Sequence, residues 1–171
     1  MIVPEPDAKA RLRTRDIAVP ASVVLDADGI GDGVELLHDP LVIKAFGAGI
    51  VHKSDIGAVR LGLDADEVPT AIFAMRARLA AEHGIFPDGF LVEEQASGGV
   101  ELLVGAVRGP FGVAVTVGLG GVLAEVLDDV AVGLAPLDRE GAEALLDGFR
   151  GSELLRGYRG AAPVDRAGLV A

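Results

Sequence analysis

The 171-residue chain carries only three lysines, at positions 9, 44 and 53, against twelve arginines. Two of the three sit in one stretch, LVIKAFGAGIVHKSDIGAV (residues 41–59), with a histidine beside the second. Strand alternation places Val42, Lys44 and Phe46 on one face, and a half-buried ammonium needs a partner anion. That anion is either a bound phosphate at a strand end or one of the chain's 26 acids, unless Lys44 snorkels from an edge strand. Further on, His52, Lys53, Ser54 and Asp55 crowd a single loop. An imidazole there can act as a nucleophile toward a phosphoryl group, with Asp55 orienting the ring and Lys53 neutralising charge. The plain alternative is a solvated loop in which Ser54 or Asp55 forms a turn. His38 and His83 have no liganding spacing to His52.

Carboxylates and glycines make a second group. LVEEQASGGVELL brings Glu93, Glu94 and Glu101 close in sequence, either as acceptors for ribose hydroxyls or as exposed acids on a hairpin. Glu125, Asp128 and Asp129 suit Mg²⁺ or a solvated acidic edge, and spacing does not separate the two. GLGG (118–121) is either a tight strand exit needing positive φ or a phosphate-facing turn. Neither GAGIVH nor GLGGVL completes a dinucleotide fingerprint, and no G-x-x-x-x-G-K-[ST] occurs.

The bulk composition narrows the classes. With 50% hydrophobic residues a real core can form, and 4% aromatics without Trp leave it to aliphatic side chains. A formal net charge of −11 opposes binding to nucleic acid or an anionic membrane. An anionic ligand therefore requires a local reversal of sign, which residues 44–53 offer. Without cysteine, disulfides, thiolate catalysis and cysteine zinc sites are excluded. No apolar run reaches the ~18 residues of a span, and no signal peptide is visible, so a cytoplasmic location is the default expectation.

The elements that must position these residues can be read in outline. Residues 7–15 suggest a short polar helix and 17–25 an extended segment broken by Pro20. Residues 40–46 and 57–63 predict strands. Residues 66–82 predict a helix with Ile72, Met75 and Leu79 on its apolar stripe, closed at His83-Gly84. GFLVEEQ and VELLVGAVR are expected to pair as antiparallel strands around ASGG. FGVAVTVG predicts another strand, 122–137 two short strands or a strand and a bend, DREGAEALLDGF a helix, and SELLRGYRG a short helix stopped by glycine. The order suggests a mixed α+β fold, as one domain or two small lobes.

Taken together, these motifs resemble the ATP-grasp domain of the NDP-forming acyl-CoA synthetases, such as ADP-forming acetate–CoA ligase, which are relatives of the succinyl-CoA synthetase β-subunit. The matching pieces are PLVIKAFGAGIVHKSDIGAVRLGL, GFLVEEQASGGVELLVGAVRGPFG, VGLGGVLAEVLDDVAVGLAPL and LLRGYRGAAPVD, in family order, and the opening EPDAKARLRTRDIAVP also fits. The resemblance implies an ATP-grasp fold, with two lobes of mixed or antiparallel sheet at about 17–86 and 87–171 and helix 7–15 packed on the second. It implies ATP or ADP with Mg²⁺ as cofactors, and the reaction acyl-CoA + ADP + Pi ⇌ acid + CoA + ATP with a CoA-binding partner or domain. Lys44 then matches the lysine on the nucleotide phosphates, with Lys53 beside it. His52 matches a phosphoryl-carrying histidine, aided by Asp55. Glu93, Glu94 and Gln95 fall where a hinge holds adenine, Glu101 binds ribose, and Gly118, Gly120 and Gly121 face the phosphates.

Two departures stand out. Gly109-Pro110 replaces the family's usual acid before Phe-Gly, and the family continues past RGAAPVD to an Asp-x-Asn-Pro strand, whereas this chain holds no asparagine. The sequence thus predicts a single incomplete ATP-grasp domain, with Glu125 and Asp129 as substitute metal ligands. The isolated chain is expected to be inactive. The unpaired sheet edge is expected to favour association with a partner or a further copy. A non-catalytic ATP-grasp binding or regulatory subunit is the alternative.

Overall fold

The computed structural model describes residues 3–96, 98–121, 124 and 127–170. The chain divides into two compact units, residues 1–97 and 98–171. Among the described residues no helix is long and apolar enough to cross a membrane.

The first unit is a four-stranded antiparallel sheet in the order β1-β4-β2-β3. Its strands are β1 (Ser22–Asp26), β2 (Leu41–Phe46), β3 (Val59–Leu63) and β4 (Gly89–Glu94). One face of this sheet is aliphatic. Leu25, Leu41, Ile43, Ala45, Phe90 and Val92 meet the stripe Val68, Ile72, Met75 and Leu79. The stripe lies on helix α2 (Val68–Arg78), which starts with proline in its first turn, where no amide partner is lost. The predicted 66–82 helix is therefore real in extent but not uniform: its last turn, Leu79–His83, is a π-turn capped by Gly84 at φ +63°.

The opposite face is polar. Register sets Lys44 against Leu91 and Val42 against Glu93, so Lys44 and Glu93 project from the same side. Helix α1 (Glu5–Arg13) is tied to this side. Lys9 bonds Glu93, Glu5 bonds Lys44, and Arg13 donates to Ser22 Oγ at 2.9 Å.

One expectation changes here. Residues 89–94 do not form a hairpin with the strand after ASGG; β4 is inserted between β1 and β2. The run Phe90-Leu91-Val92-Glu93 is buried on both faces, which suits a central strand and not half of an exposed hairpin. The two compact units divide at 97/98, and the first helix, Glu5–Arg13, has its side-chain partners on β1, β2 and β4 of the first unit.

The second unit is a three-stranded antiparallel meander, β5 (Leu102–Gly109), β6 (Gly112–Leu119) and β7 (Val130–Leu134). Val117, Leu119 and Ala131 on one face pack with Leu145 and Leu146 of helix α3 (Arg139–Asp147), and with Phe149 and Leu155 beyond it. Asp138 caps α3 by accepting from the Gly141 amide at 2.8 Å. A 3₁₀ helix follows at Arg150–Arg156, then a four-residue helix, α4 (Arg166–Leu169). Among the described residues of the span expected to hold two strands, or a strand and a bend, Ala124 and Leu127 are helical and Val130–Leu134 forms β7.

Candidate functional site

All three lysines of the chain meet in the first unit. Lys44 Nζ donates to Glu5 Oε1 at 2.8 Å and lies 2.6 Å from Glu93 Oε1. Lys9 bonds Glu93 Oε2 and lies 3.1 Å from Glu5 Oε1. These four side chains close a ring of alternating charge. Lys53, on the histidine loop, donates to the other oxygen of Glu5 at 2.8 Å. An ammonium has three donors and no acceptor, so carboxylates on two sides leave Lys44 a further N–H for an incoming anion.

Local structure explains why the ring forms. Glu5 and Lys9 are four apart on α1, hence on one helix face. Lys44 and Glu93 sit on neighbouring strands with the same orientation. Glu93 is 2% exposed, and a carboxylate that deep requires paired cations. Burial pushes the Glu5 carboxyl up, but hydrogen bonds from Lys44, Lys53 and Lys9 more than offset this and bring it from 4.5 to about 2. Burial likewise pushes the Lys44 ammonium down, while Glu5 and Glu93 more than compensate and hold it above its ordinary 10.5. Three ammoniums on two carboxylates leave one surplus positive charge in a chain of net charge −11.

His52, Ser54 and Asp55 are exposed on the loop between β2 and β3. Among the described residues no hydrogen bond joins His52 to Asp55. Ala58 donates to the Lys53 carbonyl at 2.7 Å, and Arg78 donates to the carbonyl of Gly57. At Gly57 (φ +63°) a Cβ would run into the Arg78 guanidinium, so the loop's exit requires glycine.

The other predicted residues fall into separate groups. Glu93 is a member of the lysine ring, with both oxygens on ammoniums. Glu94 Oε1 accepts from the His38 backbone at 3.0 Å and lies 2.7 Å from His38 Nδ1; the His38 side chain, then its amide, pulls the Glu94 carboxyl below its ordinary value. Gln95 Oε1 accepts from the Gly62 amide at 2.8 Å. In the second unit, Glu101 and the glycine turn do come together. Gly120 donates to the Glu101 carbonyl at 2.7 Å, and a Cβ on Gly121 (φ +60°) would collide with Glu101 Oε2. Gly118 faces the Asp129 carbonyl so closely that a side chain there has no room.

Among the described residues no metal centre assembles. Both oxygens of Asp129 accept backbone amides, Arg150 at 2.9 Å and Gly151 at 2.8 Å, and these bonds hold its carboxyl below the usual range. Asp129 thus anchors the start of the 3₁₀ helix. Glu125 lies outside the described residues, and among the described residues no three acids or histidines converge. The side chains described therefore do not fit a divalent cation without further ligands.

Glu5 and Lys9 were not singled out as site residues from sequence. The signal was present: EPDAK has the i, i+4 spacing of a helical ion pair, and Lys9 is one of only three lysines. Lysine is a compact point charge and arginine a planar fork, so the two are not interchangeable at such a position.

Known proteins share this arrangement of elements. A family model described as ATP-grasp domain matches residues 2–171. The chain is 35% identical over 151 residues to ADP-forming acetate–CoA ligase I of Archaeoglobus fulgidus, covering 85% of this chain and 22% of that protein. It is 33% identical over 168 residues to the β subunit of ADP-forming acetate–CoA ligase I of Pyrococcus furiosus, covering 94% of this chain and 71% of the subunit. Its fold matches the dinucleotide-forming acetyl-coenzyme A synthetase 1 of Ca. Korarchaeum cryptofilum, solved with coenzyme A, Ca-AMPCP and HgCl+. The TM-score is 0.85 and the identity 31%, across 98% of this chain and 75% of that one. The chain thus spans less than a quarter of the length of the Archaeoglobus relative. With the model matched along residues 2–171 and more than two thirds of a β subunit covered, the chain belongs to the ATP-grasp domain family, in the branch found in ADP-forming acetate–CoA ligases.

Proposed function

We propose that this chain is the nucleotide-binding, phosphoryl-transferring module of an NDP-forming acyl-CoA synthetase. With a CoA-binding partner or domain it would serve acyl-CoA + ADP + Pi ⇌ acid + CoA + ATP. The observation that carries this reading is the lysine cluster. Lys44 and Lys53 approach the two oxygens of one carboxylate at 2.8 Å each, which is how two cations grip an anionic oxygen pair. The surplus charge there suits nucleotide phosphates, and phosphoryl transfer depends chiefly on positioning and charge stabilisation. His52, exposed one residue before Lys53, is the candidate phosphoryl carrier, and Glu101 with Gly120 and Gly121 the candidate contact in the second unit. Mg²⁺ would arrive on the nucleotide, since the described side chains converge on no cation site of their own.

The test is calorimetric titration of the chain with ADP. Lys44→Ala removes one charge-assisted hydrogen bond, worth ~1.5–3 kcal/mol, and should weaken ADP about ten- to a hundredfold. Equal affinity in wild type and variant would sink the assignment of Lys44. The engagement of Asp129 by two amides favours a second reading, a non-catalytic ATP-grasp subunit. That reading predicts ADP binding without acyl-CoA-dependent ATP formation when the CoA-binding partner is added.

A further inference from the structure

We propose that Glu5 is a positioning residue: its carboxylate fixes the Lys44 ammonium on β2 and the Lys53 ammonium on the histidine loop relative to one another. The inference rests on the nucleotide reading above and adds to it a residue from the first helix.

The geometry is that of a two-ended tie. Glu5 Oε1 takes Lys44 at 2.8 Å and Glu5 Oε2 takes Lys53 at 2.8 Å. The Lys44 end is rigid. Lys44 stands on a central strand and is also held by the buried Glu93, which Lys9 braces from the far side. The Lys53 end is not rigid by itself. Ile50 and Ile56 peg the loop to the core, but of residues 51–55 all except Lys53 are exposed.

Among the described residues packing does not bind the loop to the helix either. A cavity of about 360 Å³ opens between them, walled by Pro4 and Glu5 on the helix side and by Ile50, Lys53 and Asp88 opposite. Among the described residues the Glu5–Lys53 pair is the side-chain hydrogen bond that spans it. It sets where Lys53 stands and, through one peptide unit, where His52 stands. A half-buried carboxylate hydrogen-bonded at both oxygens is suited to the task, because its partners lose little further freedom when an anion arrives.

The chain's composition supplies a direct readout. With three lysines, protein labelled with ¹³C,¹⁵N-lysine gives three side-chain signals, all from this cluster. In Glu5→Gln, which preserves size and removes the charge, the Lys44 and Lys53 signals should both shift and the Lys44 titration should move to lower pH. Hydrogen exchange of the amides of residues 51–55 should accelerate at least tenfold. ADP affinity should fall about tenfold, the scale of one charge-assisted hydrogen bond, although a negative charge near the phosphates has been removed. Glu5→Asp, which keeps the charge but withdraws it by one methylene, should fall between the two.

Unchanged Lys53 signals and unchanged loop exchange in Glu5→Gln would overturn the proposal. So would tighter ADP binding, which would make Glu5 a competitor of the phosphates. If wild type binds no ADP, the nucleotide reading fails by itself, and the lysine signals and loop exchange still decide the role of Glu5. A Glu5→Gln chain that loses its folded spectrum is replaced by Glu5→Asp in the same measurements.

Discussion

The two sheets of this chain solve the problem of a sheet's second face in opposite ways. In the first unit one face packs on α2, and the other carries Lys44 and Glu93 beneath α1. In the second unit one face packs on α3, while the register leaves Leu103, Val107, Val130, Val132 and Leu134 together on the other, all exposed. Between them, Gly105, Thr116 and Gly118 line the centre of that face with small side chains. Polar chemistry is thus concentrated where a sheet is covered twice. Covering is what makes it effective: withdrawal from water strengthens each ion pair, provided every charge is matched.

The comparison breaks most sharply at the loop. In the proposed synthetase, His52→Ala with the CoA-binding partner supplied should abolish acyl-CoA-dependent ATP formation, while folding, followed by circular dichroism, stays intact because His52 is exposed. Normal turnover would reduce His52 to a loop residue.

Next in size is the pair of adjacent glutamates. Glu93→Gln leaves Lys9 and Lys44 short of one counter-charge in a buried setting and should cost about 3 kcal/mol in denaturant unfolding. Glu94→Gln loses only an exposed contact with His38 and should leave the midpoint almost unmoved. Similar losses at both positions would mean that burial of the ring adds nothing.

Acid unfolding sharpens the point further. A carboxylate whose pKa falls from 4.5 to about 2 on folding stabilises the fold above pH 4.5 and loses that contribution as pH drops toward 2. Stability plotted against pH should therefore slope between those values in wild type and flatten in Glu5→Gln. Lys44 works at the other end. Its raised pKa contributes fully below pH 10.5, and the contribution fades as pH rises beyond it.

The smallest effect belongs to the second sheet. Val132→Thr, at an exposed position of the other face, should change stability by less than ~0.5 kcal/mol. Val117→Thr places a hydroxyl in the core against α3 and should cost roughly 1–3 kcal/mol. Equal costs would show that the outer face is covered in solution.

Legibility from sequence followed the range of the forces involved. Strand β2 and helix α2 were read correctly because their apolar periods are local. The partners of β4 were not, since pairing with β1 and β2 depends on contacts with residues 22–26 and 41–46, and the nearby Gly98-Gly99 resembles a hairpin turn. Lys44 was recognised as a half-buried cation in need of an anion, but its two carboxylates lie 39 and 49 positions away in sequence, beyond any spacing rule. Asp129 looked like a metal ligand by residue type. Its use of both oxygens on amides at 150 and 151 follows from the fold of the second unit alone.

The confinement of lysine to one cluster also governs how this chain meets electrophiles. Unprotonated side-chain amines attack thioesters, acyl phosphates and activated esters, whereas guanidinium groups remain charged throughout the working pH range. Every such amine in this chain lies at positions 9, 44 and 53, where carboxylates keep it occupied. Lys44 is held as ammonium well into alkaline pH, and in that form it has no lone pair to give. An acyl group that did attach would remove a positive charge from a ring balanced by two carboxylates. Among side chains, amine-directed tagging or cross-linking of this protein therefore reports on the cluster and leaves the arginines untouched.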